Sequence, residues 1–355
     1  MSEGLFSPLQ IRSIRLRNRI AVSPMCQYSC EDGMANEWHF VHLGSRAVGG
    51  AAIVMAEASA VEQRGQISPA DLGIWKDKQI EPLQRIAGFL KAHGAAPGIQ
   101  IAHAGRKAST DVPWNGGKPL TESTGAWKPV APSSLAFTPQ HQAPEELSRE
   151  QIAVIVSAFA AAAARALEAG FEVLEIHSAH GYLIHEFLSP LSNNRSDEYG
   201  GSFENRTRFA REVVQAVRGV WPERLPLFIR ISATDWMEGG WTGDDSVRLA
   251  QVLKSLGVDL VDCSSGGTSL AAQIPLAPGY QVQFADRIRK ETGIATGAVG
   301  MITDPVQADN IIRNGQADIV LLAREFLRDP YWPIHAAIAL GVDPVIPQQY
   351  VRAYK

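Results

Sequence analysis

Short runs of apolar residues recur eight times along the chain, and none shows the alternation of polar and apolar positions that is typical of a half-exposed strand. Continuous apolar runs of this kind predict strands that are buried on both faces, as in a parallel sheet. The predicted strands cover residues 19–23, 51–56, 98–102, 173–177, 227–232, 260–264, 294–297 and 319–322.

A segment with helical spacing of apolar residues follows each predicted strand and ends in glycine. A glycine directly after a helix favours a left-handed C-terminal cap, which returns the chain to the next strand. With these glycines, the predicted helices cover residues 39–49, 80–94, 151–170, 203–219, 245–257, 281–293, 305–315 and 330–341. Eight strand-helix units in succession predict an α/β fold, a single (β/α)8 TIM barrel, rather than an open sheet.

Three segments lie outside this repeat, within one predicted domain of residues 1–355. Residues 9–16 indicate an N-terminal hairpin across the floor of the barrel. Residues 103–148 are rich in proline and follow the third strand. Because a long loop after a barrel strand lies on the catalytic face, we expect an inserted lid or small subdomain there. Residues 342–355 form a C-terminal tail.

The composition narrows the possible partners. Hydrophobic residues make up 45% of the chain and charged residues 20%, which excludes extensive disorder. With 33 Lys and Arg against 37 Asp and Glu, the formal net charge is −4, so no nucleic-acid partner is expected. The longest apolar stretch, residues 152–164, is shorter than the ~18–20 residues that span a bilayer, so no membrane partner is expected. Three cysteines argue against a disulfide framework and for the cytoplasm.

The seventh and eighth strands lead into Gly297, Gly300, Ala323 and Arg324. In a TIM barrel, the loops after these two strands often form a phosphate site. Glycine permits close approach of the backbone, and arginine offers a fork of donors that matches a phosphate. We therefore expect a phosphorylated ligand; the alternative is that the glycines make a tight turn and the arginine is a surface charge.

His177 and His180 follow the fourth strand and have two functional interpretations. With His103 or Cys26 as a third ligand they could bind a metal, as in a metal-dependent barrel hydrolase. They could instead donate hydrogen bonds to a substrate oxygen that gains negative charge. A hydrolase would also need a carboxylate base near these ligands. The ends of the first, third, fourth and fifth strands offer none, and Glu57, after the second strand, is the single acid at a strand end. The second interpretation is therefore favoured over the first. A purely structural role for both histidines is the third interpretation.

Arg230 ends the fifth strand, which is otherwise apolar. A buried arginine must face an anion or a strong acceptor. The candidates are an internal carboxylate, such as Glu57 or Glu175, and an electron-rich ligand.

Several motifs occur in barrel order: Ser23-Pro24-Met25-Cys26-Gln27-Tyr28, Glu57-Ala58, Gln100-Ile101-Ala102-His103-Ala104-Gly105-Arg106-Lys107, His177-Ser178-Ala179-His180-Gly181-Tyr182 and Asn194-Arg195-Ser196-Asp197. Together they resemble the Old Yellow Enzyme family of flavin-dependent ene-reductases, from about residue 5 to residue 352. Cys26, the loop 296–300 and the segment 350–352 resemble more narrowly the subgroup that contains YqjM and the xenobiotic reductases.

The resemblance implies FMN, bound non-covalently and reduced by NADPH or NADH, and substrates that are alkenes activated by a carbonyl or nitro group. Gln100 would bond the pyrimidine edge of the flavin, and Arg230 would lie beside its N1 and C2 oxygen. The implied flavin-binding residues are Ser23, Pro24, Met25, Cys26, Ala58, Gln100, Arg230, Gly297, Gly300, Ala323 and Arg324.

In the implied reaction, the reduced flavin delivers hydride to the β-carbon of the alkene. His177 and His180 would stabilise the enolate oxygen, and Tyr182 would donate the proton to the α-carbon. Tyr28 would contact the substrate, and Cys26 would adjust the flavin potential, the alternative being an inert buried thiol.

The resemblance also implies a homodimer or homotetramer in which Arg352 of one subunit reaches the active site of the other. The tail ends without the Gly-Trp that is usual in the subgroup, so this crossing is a hypothesis. Ala323 stands where the subgroup usually has glycine, which bears on FMN affinity. The related 2,4-dienoyl-CoA reductases need a cysteine cluster for iron and sulfur, which three cysteines exclude.

Overall fold

The computed structural model describes residues 3–354. The strands are β1 (Leu9–Ile11), β2 (Ile14–Leu16), β3 (Ile20–Val22), β4 (Ile53–Ala60), β5 (Ala96–Ala102), β6 (Val130–Ala131), β7 (Glu145–Glu146), β8 (Val173–Ser178), β9 (Leu227–Ser232), β10 (Leu260–Ser264), β11 (Ala295–Ala298) and β12 (Ile319–Leu322). The helices are α1 (Glu37–Val48), α2 (Ile80–Ala92), α3 (Arg149–Glu168), α4 (Leu183–Leu188), α5 (Phe203–Arg206), α6 (Arg208–Val220), α7 (Gly243–Ser255), α8 (Val282–Thr292), α9 (Pro305–Arg313), α10 (Arg324–Arg328) and α11 (Trp332–Ala339).

Eight parallel strands close into a barrel, which confirms the predicted (β/α)8 fold. The strands follow one another in the order β3, β4, β5, β8, β9, β10, β11 and β12, and β12 pairs with β3 to close the ring. The register places Arg230 between His177 on β8 and Asp262 on β10. It also places Gln100 of β5 beside Glu175 of β8. The register therefore decides which strand-end side chains become neighbours.

The main hydrophobic core fills the space between the barrel and its helices. In α6, Phe209, Val213 and Val217 recur every four residues, so they share one face of the helix, and that face is buried. The strand residues in the same cluster include Ile176 and Ile229. Each buried side chain of this size contributes about 1.5–3 kcal/mol, so this layer fixes the strands whose ends carry the site.

The N-terminal hairpin lies on the floor of the barrel, as predicted. β1 and β2 pair antiparallel. Ile11 and Leu16 of this hairpin are buried in one cluster with Met55, Phe228 and Leu321 from the barrel strands. The interior is therefore packed and closed at its lower end, and the site can open only at the carboxyl ends of the strands.

The predicted glycine caps hold at six helices, where the glycines have positive φ: Gly94, Gly170, Gly257, Gly293, Gly315 and Gly341. The prediction was wrong at Gly219, which lies inside α6, and at Gly49, whose φ is −72°. Gly50, with φ +102°, makes the turn after α1 instead. Gly49 is required for space, because an added Cβ would lie 2.1 Å from the Pro330 carbonyl oxygen.

The segment 103–148 connects β5 to α3. It contains short 3-10 turns and the strands β6 and β7, which pair with each other. By length and composition, α3 could span a membrane, which the apolar stretch 152–164 did not indicate. Its Ile152, Ile155 and Phe159 are fully buried in the main core, as in a barrel helix.

Candidate active site

A buried polar cluster lies at the mouth of the barrel around Arg230. Its Nε donates to Asp262 Oδ2 at 2.6 Å, and its Nη2 donates to Ser23 Oγ at 2.7 Å. Glu175 Oε1 lies 3.8 Å from Arg230 Nε and accepts a hydrogen bond from Gln100 Nε2 at 2.8 Å. An internal carboxylate therefore does face Arg230, but Asp262, which the sequence interpretation did not name, is closer than Glu175.

The two carboxyl groups of this cluster, Glu175 and Asp262, affect each other's protonation. Burial and the neighbouring Asp262 raise the pKa of Glu175. Within the described chain, Oε2 of Glu175 and Oδ1 of Asp262 accept no hydrogen bond from any other group. We therefore expect the pair to share one proton, which leaves one carboxylate to balance Arg230. We expect this proton on Glu175, because Asp262 makes the shorter contact with Arg230.

His177, His180 and Tyr182 form a compact cluster after β8. The two imidazole centroids are 5.1 Å apart, the centroids of His177 and Tyr182 are 5.0 Å apart, and both contacts are edge to face. Burial lowers the pKa of both histidines, and the nearby cation Arg230 lowers it further. Both rings are therefore neutral near pH 7.

The hydrogen bonds of the rings decide what they can donate. His177 Nδ1 accepts from the Ala179 backbone N–H at 3.2 Å, so the proton of this neutral ring is on Nε2. His180 Nε2 lies 2.7 Å from the Ser264 hydroxyl. If Ser264 donates to Nε2, His180 carries its proton on Nδ1. The pair can then offer two N–H donors to one oxygen.

The turn that carries these residues needs left-handed backbone. His180 has φ +60° and Gly181 has φ +71°, and an added Cβ at Gly181 would lie 2.3 Å from the Gly267 carbonyl oxygen. The Gly181 N–H donates to His185 Nδ1 at 2.9 Å, and His185 Nε2 lies 3.1 Å from Asp235 Oδ1. This buried pair holds the turn in place.

The described residues do not form the metal site that the first interpretation of His177 and His180 requires. Both nitrogens of His103 are engaged: Nε2 lies 2.8 Å from Glu62 Oε1, and Nδ1 accepts from the Gly105 N–H at 3.0 Å. Among residues 3–354, no group of three His, Cys, Asp or Glu side chains could hold a metal ion.

Cys26 and Tyr28 come together beside Tyr182. Burial raises the pKa of the Cys26 thiol, so the sulfur is a neutral thiol near pH 7. Tyr28 and Tyr182 line one open cavity of about 520 Å³, whose other wall belongs to the segment 103–148. Ala58 lines a small neighbouring pocket with Asp71 and Tyr182. Pro24 and Met25, on the same loop as Cys26, are half-buried.

A separate groove of about 250 Å³ follows β11 and β12. Gly300, Ala323 and Arg324 line it. Gly300 has φ +119°, and an added Cβ would lie 2.7 Å from Gln281 Nε2, so this position needs glycine. The Arg324 guanidinium has no ion-pair partner in the described chain, whereas Arg328 pairs with Glu325.

Two predicted site residues lie apart from this assembly. Gly297 is buried within β11, where an added Cβ would lie 2.5 Å from Leu321 Cδ1, so it packs in the barrel and does not line the groove. Arg352 is exposed on the C-terminal tail, near the contact between Tyr331 and Tyr350.

Sequence reasoning missed three charged residues of the site. Lys107 lies four positions after His103 and lines the large cavity. Asp71, whose pKa burial raises to about 7, accepts hydrogen bonds from Ile67 and Ser68 and shapes the small pocket. Asp262 pairs with Arg230. Two of these had a usable signal: Asp262 is an acidic residue that interrupts the apolar run of the sixth strand, and Lys107 ends the motif that begins at Gln100.

The chain matches one protein family over nearly its full length. Residues 4–341 match the model of the NADH:flavin oxidoreductase / NADH oxidase family. The chain is 49% identical to an NADPH dehydrogenase of Geobacillus sp. (strain WCH70), over 100% of both chains. It is 47% identical to an NADPH dehydrogenase of Bacillus subtilis (strain 168), again over 100% of both.

The chain also resembles solved structures of reductases. A morphinone reductase in complex with tetrahydroNAD has a TM-score of 0.79 and 26% identity, with 98% of this chain and 93% of that chain covered. A 2-naphthoyl-CoA reductase complex has a TM-score of 0.86 and 26% identity, with 96% of this chain covered. The alignment spans 53% of that longer chain.

Proposed function

The chain belongs to the NADH:flavin oxidoreductase / NADH oxidase family, and from that premise we propose that it is an ene-reductase, which reduces the C=C bond of alkenes activated by a carbonyl or nitro group. The resemblance to the Old Yellow Enzyme family holds over the whole chain, and the enzyme is an FMN-dependent oxidoreductase with a nicotinamide dinucleotide as reductant. The observation that carries the proposal is the pair of neutral imidazoles beside Tyr182 at the edge of one open cavity.

The donor set at the barrel mouth fits FMN. Gln100, Arg230 and Ser23 together present amide, guanidinium and hydroxyl groups, which suit the electron-rich pyrimidine edge of a flavin. The unpaired Arg324 and the open backbone at Gly300 suit its phosphate. Ala323 also lines this groove, and only its backbone is needed there. Gly297 would support the groove from inside the barrel.

FMN, when bound, supplies the hydride chemistry of the reaction. His177 and His180 bind the carbonyl or nitro oxygen of the substrate and stabilise the negative charge that develops on it. Because both rings are neutral, they donate hydrogen bonds and do not protonate that oxygen. Tyr182 holds a proton on its hydroxyl for the α-carbon, and burial raises its pKa well above the usual range, so the proton stays in place.

The remaining loop residues complete the site in this proposal. Cys26, on the loop with Pro24 and Met25, adjusts the flavin potential as a neutral thiol, and Ala58 lines the flavin ring. Tyr28 contacts the substrate from the side of the cavity that it shares with Tyr182. The segment 103–148 acts as the lid.

We also propose a homodimer or homotetramer in the cytoplasm. Arg352 is exposed at the end of the chain, where it is available to a second copy. In that assembly it binds substrate in the partner's cavity.

The first test is the visible spectrum of the purified protein under anaerobic conditions. Flavin absorbance that bleaches on addition of NADPH and returns on addition of 2-cyclohexenone is the expected result. Bleaching without return on addition of either 2-cyclohexenone or a nitroalkene would refute the ene-reductase proposal while leaving the oxidoreductase assignment intact.

Tyr182→Phe separates the two half-reactions. The variant loses the proton donor and keeps the ring that contacts His177. We expect reoxidation by 2-cyclohexenone to slow by about 10²-fold or more, since positioned proton donors contribute about 10²–10⁴-fold, with little change in reduction by NADPH. Equal slowing of both half-reactions would indicate a structural role for Tyr182.

A further inference from the structure

Lys107 occupies the inner wall of the active-site cavity. Its Nζ lies 4.5 Å from the centroid of the Phe137 ring and 5.1 Å from that of Tyr182. The ammonium donates to the carbonyl oxygens of His180, at 2.9 Å, and Gly267, at 3.2 Å. These contacts hold the charge over the proposed proton donor, next to the turn that carries both histidines.

This cation has no counter-ion in the described chain. Among residues 3–354, no carboxylate oxygen lies within 4.0 Å of Lys107 Nζ. Burial raises the pKa of nearby Glu186 to about 8, so this carboxyl is mostly protonated at pH 7. Burial lowers the pKa of Lys107 only to about 8, so the ammonium still carries most of its charge at that pH. A half-buried charge without a counter-ion costs free energy, part of which an anion in the cavity would recover.

The other ionisable groups of the cavity do not neutralise Lys107. Asp111 lines the same cavity, but its Oδ1 accepts from the Val112 N–H at 2.7 Å and neither of its carboxylate oxygens lies within 4.0 Å of Lys107 Nζ. Burial and the charges of Lys107 and Arg106 lower the pKa of His141, which is therefore neutral near pH 7. Lys118 adds a second positive charge to the same wall. An ammonium has three donors, and two carbonyl bonds leave one for a ligand.

We propose that Lys107 forms an oxyanion subsite in this cavity, which binds a carboxylate or phosphate group. The inference rests on the proposed function and names its substrate class: activated alkenes that carry an anionic group beyond the carbonyl held by His177 and His180. The same anionic chemistry could come from the phosphates of the nicotinamide dinucleotide, and the experiments below distinguish the two sources.

The binding test uses the FMN-loaded enzyme and needs no turnover. Calorimetry compares 4-oxopentanoate with its neutral methyl ester. The carboxylate should bind at least tenfold more tightly to the wild type and to Lys107→Arg, and about equally with the ester to Lys107→Gln. Glutamine keeps N–H donors for the two carbonyls, and the ratio of the two ligands cancels general damage to the turn.

The kinetic test compares kcat/KM for (E)-4-oxo-2-pentenoate and its methyl ester in the same variants. The ratio of acid to ester should fall at least tenfold in Lys107→Gln and be retained in Lys107→Arg. A tenfold rise in the Kd for NADPH, with both ligand ratios unchanged, would support the subsite and assign it to the dinucleotide.

The subsite is refuted if neither the ligand ratios nor the Kd for NADPH changes in Lys107→Gln. It is also refuted if Lys118→Gln alone abolishes the preference for the carboxylate. A protein that binds 4-oxopentanoate selectively but reduces no enone would keep the subsite and lose the ene-reductase proposal, so the two failures are distinct.

Discussion

Replacing Asp262 by asparagine removes the counter-ion of Arg230 and keeps the shape of the side chain. Both residues are buried at the barrel mouth, and Arg230 Nε lies 2.6 Å from Asp262 Oδ2. At that distance and an effective dielectric constant of about 20, the charges attract by about 6 kcal/mol. The asparagine oxygen retains part of this as a hydrogen bond. We expect a loss of about 3–5 kcal/mol in the free energy of unfolding, as for other broken buried pairs.

Glu175→Gln is the matched control, because we expect the proton shared by the two carboxyl groups to lie on Glu175. A glutamine can accept from Gln100 and offers N–H donors toward Asp262, as a protonated Glu175 would offer its O–H. We therefore expect a loss below about 1 kcal/mol at pH 6, since the variant has the same shape and hydrogen bonds.

The pH dependence has a definite sign. Burial and Asp262 raise the pKa of Glu175 in the folded state, so its contribution to stability is complete at pH values below the unfolded pKa of about 4.3 and is lost as pH rises toward the folded pKa. Glutamine does not titrate. Relative to the wild type, Glu175→Gln should therefore gain stability as pH rises from 6 to 9.

Urea unfolding followed by far-ultraviolet circular dichroism, at one saturating FMN concentration, measures both variants. The slope with urea must be unchanged for the midpoints to report stability. Equal losses in Asp262→Asn and Glu175→Gln at pH 6 would show that the proton is not on Glu175, and a larger loss in Glu175→Gln would reverse the assignment.

Three further outcomes test other parts of the site. Cys26→Ser should shift the flavin midpoint potential, measured by dye-coupled reduction, with FMN still bound; an unchanged potential would leave an inert thiol. Arg352→Ala should raise the KM for 2-cyclohexenone about tenfold, and no change in KM or in assembly by light scattering would exclude the crossing tail. Burial opposes the shift, but the hydrogen bond from His103 and the ion pair with Arg64 lower the pKa of Glu62 to about 2. Glu62→Gln should therefore cost about 2 kcal/mol at pH 7, and this difference should vanish as pH falls from about 4 toward 2; a constant difference would contradict the pairing.

The order of strands and helices could be predicted from the sequence, because each element depends on the local pattern of apolar and polar residues. Three of the eight predicted strands, at residues 227–232, 260–264 and 319–322, have the observed bounds. Exceptions arose where packing overrode the local pattern, as at Gly49, which is glycine because the backbone of Pro330 approaches it. No pattern within α1 contains that information.

The site residues at the strand ends could also be predicted from the sequence, because a closed barrel brings the carboxyl ends of all its strands to one rim. His177, His180, Tyr182 and Arg230 were identified on that ground and by resemblance. The partners were identified less completely: Glu175 was a candidate and does face Arg230, but Asp262, which is closer, was not named. Glu57 was a candidate partner for Arg230, but it lies 3.2 Å from His39 and accepts a hydrogen bond from the Gln27 N–H.

By itself, the sequence determined the barrel, the rim on which the chemistry lies and the class of cofactor, since these follow from repeated local patterns and from motifs in fixed order. Only the tertiary structure decided the pairing of charges. Asp262 meets Arg230 because β9 and β10 are in register, and Lys107 is left without a counter-ion because the turn after β8 presents carbonyl oxygens to it. Electrostatic partners depend on distances across the fold, and no spacing along the chain specifies them.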